Sequence, residues 1–116
     1  MTLKEFYEKT GGDFEQVLAR MLTEERVKKY VMKFLNDESL NKIKQALDDK
    51  NYKDAFLHTH NLKGVCLNLS FNGLLEPVVV LCEELRNGNP QGDVDAMYVN
   101  VEYMYNQVRS AIENID

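Results

Sequence analysis

The chain contains few of the residues that interrupt helices. Its 116 residues include only six glycines and two prolines, and both prolines lie in the second half. So few breakers favour long helices over many short strands. No apolar run approaches the roughly 20 residues that cross a bilayer, and the first residues show no signal-peptide core. We therefore expect a cytoplasmic protein that does not enter a membrane.

Cysteines and basic residues are also scarce. Cys66 and Cys82 are too few and too far apart for a zinc site or a disulfide framework. The 14 basic residues are outnumbered by 19 acidic ones, giving a net charge of −5, which excludes the basic footprint of non-specific nucleic-acid binding. With 44% apolar and 28% charged residues, the composition is that of a globular protein of one domain. We predict a single domain over residues 1–116 without metal, cofactor or nucleic acid.

Apolar residues recur at helical spacing along most of the chain. A slip of this pattern at residues 36–39 allows a bend or a short break, and Pro77 either kinks its helix or stands at the first turn of a helix that begins near Glu76. Asp93 is the predicted N-cap of the last helix. The predicted helices cover about 2–9, 13–21, 24–49, 52–69, 71–86 and 94–115. We predict an all-α fold, an up-down-up-down four-helix bundle over about 24–115 with short N-terminal capping helices over about 2–21.

The helix predicted over residues 52–69 carries apolar residues on both faces. Its predicted core stripe contains Ala55, His58, Leu62, Val65, Cys66 and Leu69. The opposite face should be polar, but it carries Phe56, Leu57 and Leu67 around His60. Gly64 also lies on this face, where a mid-helix glycine costs about 1 kcal/mol relative to alanine. The glycine therefore serves something other than helix stability.

The stretch of sequence around His60 contains no acidic residue. No Asp or Glu occurs from Ala55 to Leu75, and Lys63 lies one helical turn from His60. Such a cationic surface suits an imidazole that accepts a dianionic group, because carboxylates would repel the group and Lys63 can pair with its oxygens. His58 projects away from His60, so we predict a hydrogen-bonded core residue there and no metal site between the two histidines.

Residues 60–64 read His-Asn-Leu-Lys-Gly, and this H-x-L-K-G pattern resembles the signature of histidine-containing phosphotransfer (HPt) domains. The segment from Phe34 to Ala55, which precedes the motif, and the Leu-Arg-Asn-Gly sequence that ends at Gly88 also resemble that family. The resemblance covers about residues 24–115. It implies a phosphorelay intermediate that is not an autonomous enzyme. His60 would accept a phosphoryl group from the aspartyl phosphate of one receiver domain, through Nε2, and pass it to another receiver.

The resemblance also implies roles for the neighbours of His60. Lys63 would assist with the phosphate charge, and Gly64 would supply clearance for the donor. The residues Phe56, Leu57 and Leu67 would form a docking patch, unless the N-terminal helices cover them. The implied partners are response-regulator receiver domains and a hybrid sensor kinase. Mg²⁺ would belong to the receiver, this chain would need no cofactor, and we expect a monomer.

The sequence departs from the family pattern at several positions. Val65 and Cys66 follow the glycine where small residues are usual, Ser70 stands where glycine is frequent, and about Cys82 the family often has a glutamine. A helical adaptor that keeps the fold and docks partners without phosphotransfer therefore stays open. The dimerising phosphoacceptor domain of a sensor kinase fits less well, because Asn61 and Leu62 follow His60 instead of an acidic residue and a proline. A hydrolase or metalloenzyme fits least, since no nucleophile–base pair or ligand cluster is present.

Overall fold

The computed structural model describes all 116 residues, which form helices joined by short connections and no strand. The all-α prediction is confirmed. None of the helices combines the length and the hydrophobicity that a membrane span requires. In chain order the elements are α1 (Leu3–Thr10), α2 (Phe14–Met21), α3 (Glu24–Lys33), a 3-10 turn (Phe34–Asn36), α4 (Ser39–Asp48), α5 (Tyr52–Leu69), α6 (Asn72–Leu85) and α7 (Val94–Ile112).

Most of the helices begin at a side chain that caps their first turn. In each case a side-chain oxygen accepts a hydrogen bond from the backbone N–H three residues later, which satisfies a donor that the first turn leaves unpaired. The predicted cap at Asp93 is confirmed, because its carboxylate accepts from the Ala96 N–H. The other caps of this kind are Thr2, Asp13, Thr23 and Asn51.

The helix predicted over residues 24–49 is two helices, α3 and α4. The chain leaves the helical path after the 3-10 turn, and Asp37 has extended backbone. The Asp37 carboxylate accepts hydrogen bonds from the Ser39 N–H at 2.9 Å and from the Tyr105 hydroxyl at 2.7 Å. Arg109 donates to the Leu35 carbonyl at 2.8 Å. The break that the sequence pattern allows is therefore fixed by two side chains of α7.

Helix α6 continues through Pro77, so the alternative of a helix that begins near Glu76 is wrong. Proline lacks the N–H that would bond to the carbonyl of Gly73, four residues earlier. Gly73 packs against the end of α1, where an added Cβ would collide with the Thr10 carbonyl oxygen. The fold therefore requires glycine at this position.

The last four α-helices pack against one another in chain order, and α4 also contacts α7. Helix α1 contacts α2 and α7, whereas α3 contacts α2 and α5. The Tyr7 hydroxyl donates to the Leu69 carbonyl at 2.7 Å, and the Asp13 N–H donates to the Ser70 carbonyl at 3.0 Å. The first two helices therefore close the carboxyl end of α5. Aromatic rings fill this end of the core, namely those of Phe6, Tyr7, Phe34, Phe71 and Tyr105.

Candidate functional site

Helix α5 buries one stripe of side chains and exposes the opposite face. The stripe consists of Ala55, Thr59, Leu62, Cys66 and Leu69. The prediction that His58 belongs to it is wrong, because His58 is half-buried and Thr59 takes its place. Val65 is also half-buried, but it packs against the core as predicted. Thr59 can enter the core because its hydroxyl donates to the Ala55 carbonyl at 2.7 Å, which leaves no polar atom unpaired.

His58 lies at the contact between α5 and α4. It lines a surface pocket together with Lys42, Asp49 and Asp54, and it forms no hydrogen bond within the chain. The predicted hydrogen-bonded core histidine is therefore wrong. No group of three or more His, Cys, Asp or Glu side chains is arranged to hold a metal ion. That the chain needs no cofactor stays a prediction.

His60 lies on the exposed face of α5 and forms no hydrogen bond within the chain, which leaves its ring nitrogens available. The half-buried ring of Phe56 stacks on the imidazole, with the ring centroids 5.7 Å apart and the planes 26° apart. Leu57 and Leu67 are each 49% exposed. The alternative in which the N-terminal helices cover these two leucines is therefore wrong, and the histidine is flanked by accessible apolar side chains.

Gly64 lies in the middle of α5, on the same face as His60. A Cβ added at Gly64 would meet no atom within 4 Å. Gly12 is different, because an added Cβ there would lie 2.6 Å from the Tyr7 ring. Nothing within the chain requires glycine at position 64, and its effect is to leave open space beside His60.

The carboxyl end of α6 brings Arg86, the residue that follows its last turn, to this face of α5. The guanidinium carbon of Arg86 lies 5.5 Å from the centroid of the Phe56 ring, so Phe56 contacts both Arg86 and His60. The guanidinium donates two hydrogen bonds to the Glu83 carboxylate, at 2.6 and 3.2 Å. The role of Arg86 was not predicted from sequence, because only the packing of α6 on α5 brings it against Phe56. A signal was present, since Arg86 follows Cys82 by one helical turn and shares its face of α6.

Charges from both helices meet around Cys82. Burial raises the pKa of the Cys82 thiol, and the positive charges of Lys63 and Arg86 oppose that shift. Hydrogen bonds from Arg86, followed by the charges of Arg86 and Lys63, lower the pKa of the Glu83 carboxyl. The prediction of an acid-free surface around His60 is therefore wrong. The composition of α5 could not show that α6 adds a carboxylate to the same surface.

Ser70, at the carboxyl end of α5, adopts the left-handed conformation with φ 55°. Glycine adopts this conformation without strain, which explains why the family that the chain resembles often has glycine at this position. The Ser70 hydroxyl donates to the Gln16 side chain at 2.7 Å and accepts from Arg20 at 3.1 Å. Helix α2 thus holds the serine in a conformation that it would otherwise avoid.

A family model described as Hpt domain matches residues 34–116. The match begins at the 3-10 turn and includes α4 to α7, and therefore both helices of the His60 surface. No curated protein and no solved structure matches the chain.

Proposed function

Because the chain belongs to the Hpt domain family, we propose that it carries a phosphoryl group on His60 between the receiver domains of a two-component phosphorelay. Hpt domains are the histidine phosphotransfer modules of two-component signalling, and they interact with receiver domains as carriers and not as catalysts. The observation that supports His60 as the carrier is its setting. It is an exposed, unpaired imidazole on α5 with Lys63 one turn away and open space over Gly64.

The proposed transfer exchanges a P–O bond for a P–N bond. The lone pair on Nε2, the ring nitrogen farther from the backbone, attacks the phosphorus of an aspartyl phosphate. The bond from phosphorus to the aspartate oxygen breaks, and that oxygen keeps the electron pair as a carboxylate. The phosphorylated ring then releases its excess proton to water. Attack by the carboxylate of a second receiver reverses these steps and returns the lone pair to Nε2.

Lys63 and Gly64 support this step in different ways. The Lys63 side chain forms no ion pair within the chain, so its ammonium group is free to pair with the phosphoryl oxygens. The open space over Gly64 allows a bulky donor to approach the imidazole. Mg²⁺ and the acidic pocket are assigned to the receiver, and this chain is proposed to need no cofactor of its own.

The residues Phe56, Leu57 and Leu67 are proposed to dock the receiver. They flank His60 along the exposed face of α5, and burial of apolar surface in the middle of an interface is what stabilises a specific complex. The nearby cations of Lys63 and Arg86 would attract an acidic receiver pocket. The proposed partners are receiver domains and a hybrid sensor kinase.

We also propose that α4 to α7 form an up-down-up-down bundle, that α1 and α2 cap it, and that residues 1–116 act as one monomeric unit. The connections between α4 and α7 are short, consecutive helices pack on each other, and α4 contacts α7, as a closed bundle requires.

The relay function is tested with two receiver domains and a labelled phosphoryl group. A chain that takes label from one phosphorylated receiver and delivers it to a second is a relay intermediate. We expect Leu57→Ser and Leu67→Ser to slow uptake from the receiver about tenfold, as loss of a buried apolar contact does. Val99→Ser is the matched control, since Val99 is 57% exposed on α7. Stable receiver binding without any label on the chain would favour the helical adaptor.

A further inference from the structure

We propose that Glu83 is a positioning residue that holds Arg86 on α6 until a phosphoryl group on His60 competes for the guanidinium. This inference rests on the proposed phosphorylation of His60 and adds a control on that same site. It assigns a role to the one acidic side chain that α6 places beside Lys63 and Arg86.

The Glu83–Arg86 ion pair is weak enough for Arg86 to exchange Glu83 for another anion. Both side chains lie at the surface, 55% and 45% exposed, and their hydrogen bonds join residues three positions apart at the carboxyl end of α6. Exposed ion pairs of this kind contribute little to folding stability, because solvent and salt screen them. Arg86 can therefore leave Glu83 without disturbing the fold.

Arg86 and the imidazole contact the same side chain, Phe56. The guanidinium carbon of Arg86 lies 5.5 Å from the centroid of the Phe56 ring, and that ring stacks on His60 at 5.7 Å. One aromatic ring therefore connects the guanidinium to the proposed acceptor. A guanidinium presents two parallel N–H donors, which match the oxygens of a phosphoryl group as well as those of a carboxylate.

The phosphoryl group on His60 and the Glu83 carboxylate compete for Arg86, and their charges decide which of them it binds. A phosphoryl group carries about −1.5 to −2 charges near pH 7, whereas the Glu83 carboxylate carries one. The charges that act on one another here are those of Lys63 from α5, and of Glu83 and Arg86 at the carboxyl end of α6. Once His60 is phosphorylated, Arg86 gains more by turning to the phosphoryl group. Glu83 then opposes the phosphorylated state, both by retaining Arg86 and by repelling the phosphoryl oxygens.

The test uses the full chain phosphorylated with phosphoramidate, whose P–N bond breaks with release of ammonia as the bond to His60 forms. The pKa of the phosphoryl group is then measured by ³¹P NMR titration, with His60→Gln identifying the signal. Nearby cations lower this pKa, so Glu83→Gln should lower it by about half a pH unit. Glu76→Gln, which removes a charge from the exposed side of α6 away from this surface, should leave it unchanged.

A second pair of measurements separates positioning from simple repulsion. In the wild-type chain the Arg86 Nε–H signal should move on phosphorylation. In an Arg86→Gln background, Glu83→Gln should have less than half its effect on the phosphoryl pKa. An equal effect in both backgrounds, an unmoved Arg86 signal, or an unchanged pKa in Glu83→Gln would each overturn the inference. Absence of phosphohistidine from the wild-type chain would instead overturn the proposed function, and this inference with it.

Discussion

Gly64 and Ser70 both depart from what a stable α-helix prefers, and they do so for different reasons. Gly64 is in an ordinary helical conformation with nothing near its missing side chain, so the fold gains nothing from it. Ser70 is in a left-handed conformation that costs about 1–2 kcal/mol for a residue with a Cβ, and hydrogen bonds from α2 hold it there. The first departure indicates a role outside the chain, and the second a role within it.

Gly64→Ala should stabilise the fold and impair the proposed function. The added methyl group raises helix propensity without a clash, so the free energy of unfolding should rise by about 0.5–1 kcal/mol in urea titrations. Transfer from a phosphorylated receiver should slow, because the methyl group fills the space that the donor needs. Gly73→Ala is the contrasting control and should destabilise, since its Cβ collides with the Thr10 carbonyl. Full transfer activity in Gly64→Ala would contradict the clearance role.

Substitutions at Ser70 should separate hydrogen bonding from backbone strain. Ser70→Ala loses the bonds to Gln16 and Arg20 and keeps the left-handed strain, so the free energy of unfolding should fall by about 1–2 kcal/mol. Ser70→Gly loses the same bonds and relieves the strain, so its loss should be smaller. Chemical denaturation of the two variants measures the difference. If Ser70→Gly had a lower free energy of unfolding than Ser70→Ala, backbone strain would not determine stability at this position.

At the scale of the element, α1 and α2 act on the helix that carries His60. The family match begins after them, at residue 34, but their side chains satisfy the carboxyl end of α5. Tyr7 donates to the Leu69 carbonyl, and Arg20 donates to the Asn68 carbonyl at 2.7 Å. These carbonyls belong to the last turn of α5, which has no further helical N–H to bond them. The two N-terminal helices therefore fix where α5 ends.

Tyr7→Phe should weaken this attachment. The substitution leaves the buried Leu69 carbonyl without the Tyr7 hydroxyl, and the free energy of unfolding should fall by about 1–2 kcal/mol. Thermal or urea unfolding followed by circular dichroism measures the loss. Tyr103→Phe is the matched control, because Tyr103 is 63% exposed and forms no such bond. Equal stability of the two variants would argue against the anchoring role of α1.

A helix with one clear apolar stripe could be predicted from sequence to within a few residues, as α7 shows, because burial of that stripe favours the helix. Features that depend on contacts with a second helix could not be predicted from sequence. The Asp37–Tyr105 bond that fixes the break between α3 and α4 joins residues far apart in the chain. Thr59 displaces His58 from the core through a bond to its own helix. The contribution of Glu83 and Arg86 to the His60 surface arises only when α6 packs on α5.

At the scale of the whole molecule, the core contains acidic groups that it keeps protonated. Burial raises the pKa of Cys66 and of Tyr98 to about 12, and it also raises the pKa of Tyr7 and Tyr105. In the unfolded chain these groups titrate near 8.5 for cysteine and 10 for tyrosine. Between those values and the folded ones, the unfolded chain binds fewer protons than the folded chain. Stability must therefore fall as the pH rises through this window.

The urea midpoint should accordingly be highest below about pH 8.5 and fall steadily between pH 9 and pH 12. The decline should become steeper above pH 10, where the tyrosines of the unfolded chain begin to ionise. Tyr105→Phe should reduce the slope above pH 10, because one group that the folded chain keeps protonated is removed. Unfolding curves at several pH values measure this dependence. A midpoint that is constant to pH 12 would contradict the burial of these groups.

His60, and no other side chain, is proposed to carry the phosphoryl group. The most direct test is transfer of label from a phosphorylated receiver to the wild-type chain, to His60→Gln and to His58→Gln. The second histidine is a close control, since it lies on the same helix, two residues away, on the side that faces α4. We expect acid-labile, base-stable label on the wild-type chain and on His58→Gln, and none on a folded His60→Gln. Label that persists on His60→Gln, or disappears from His58→Gln, would contradict the assignment.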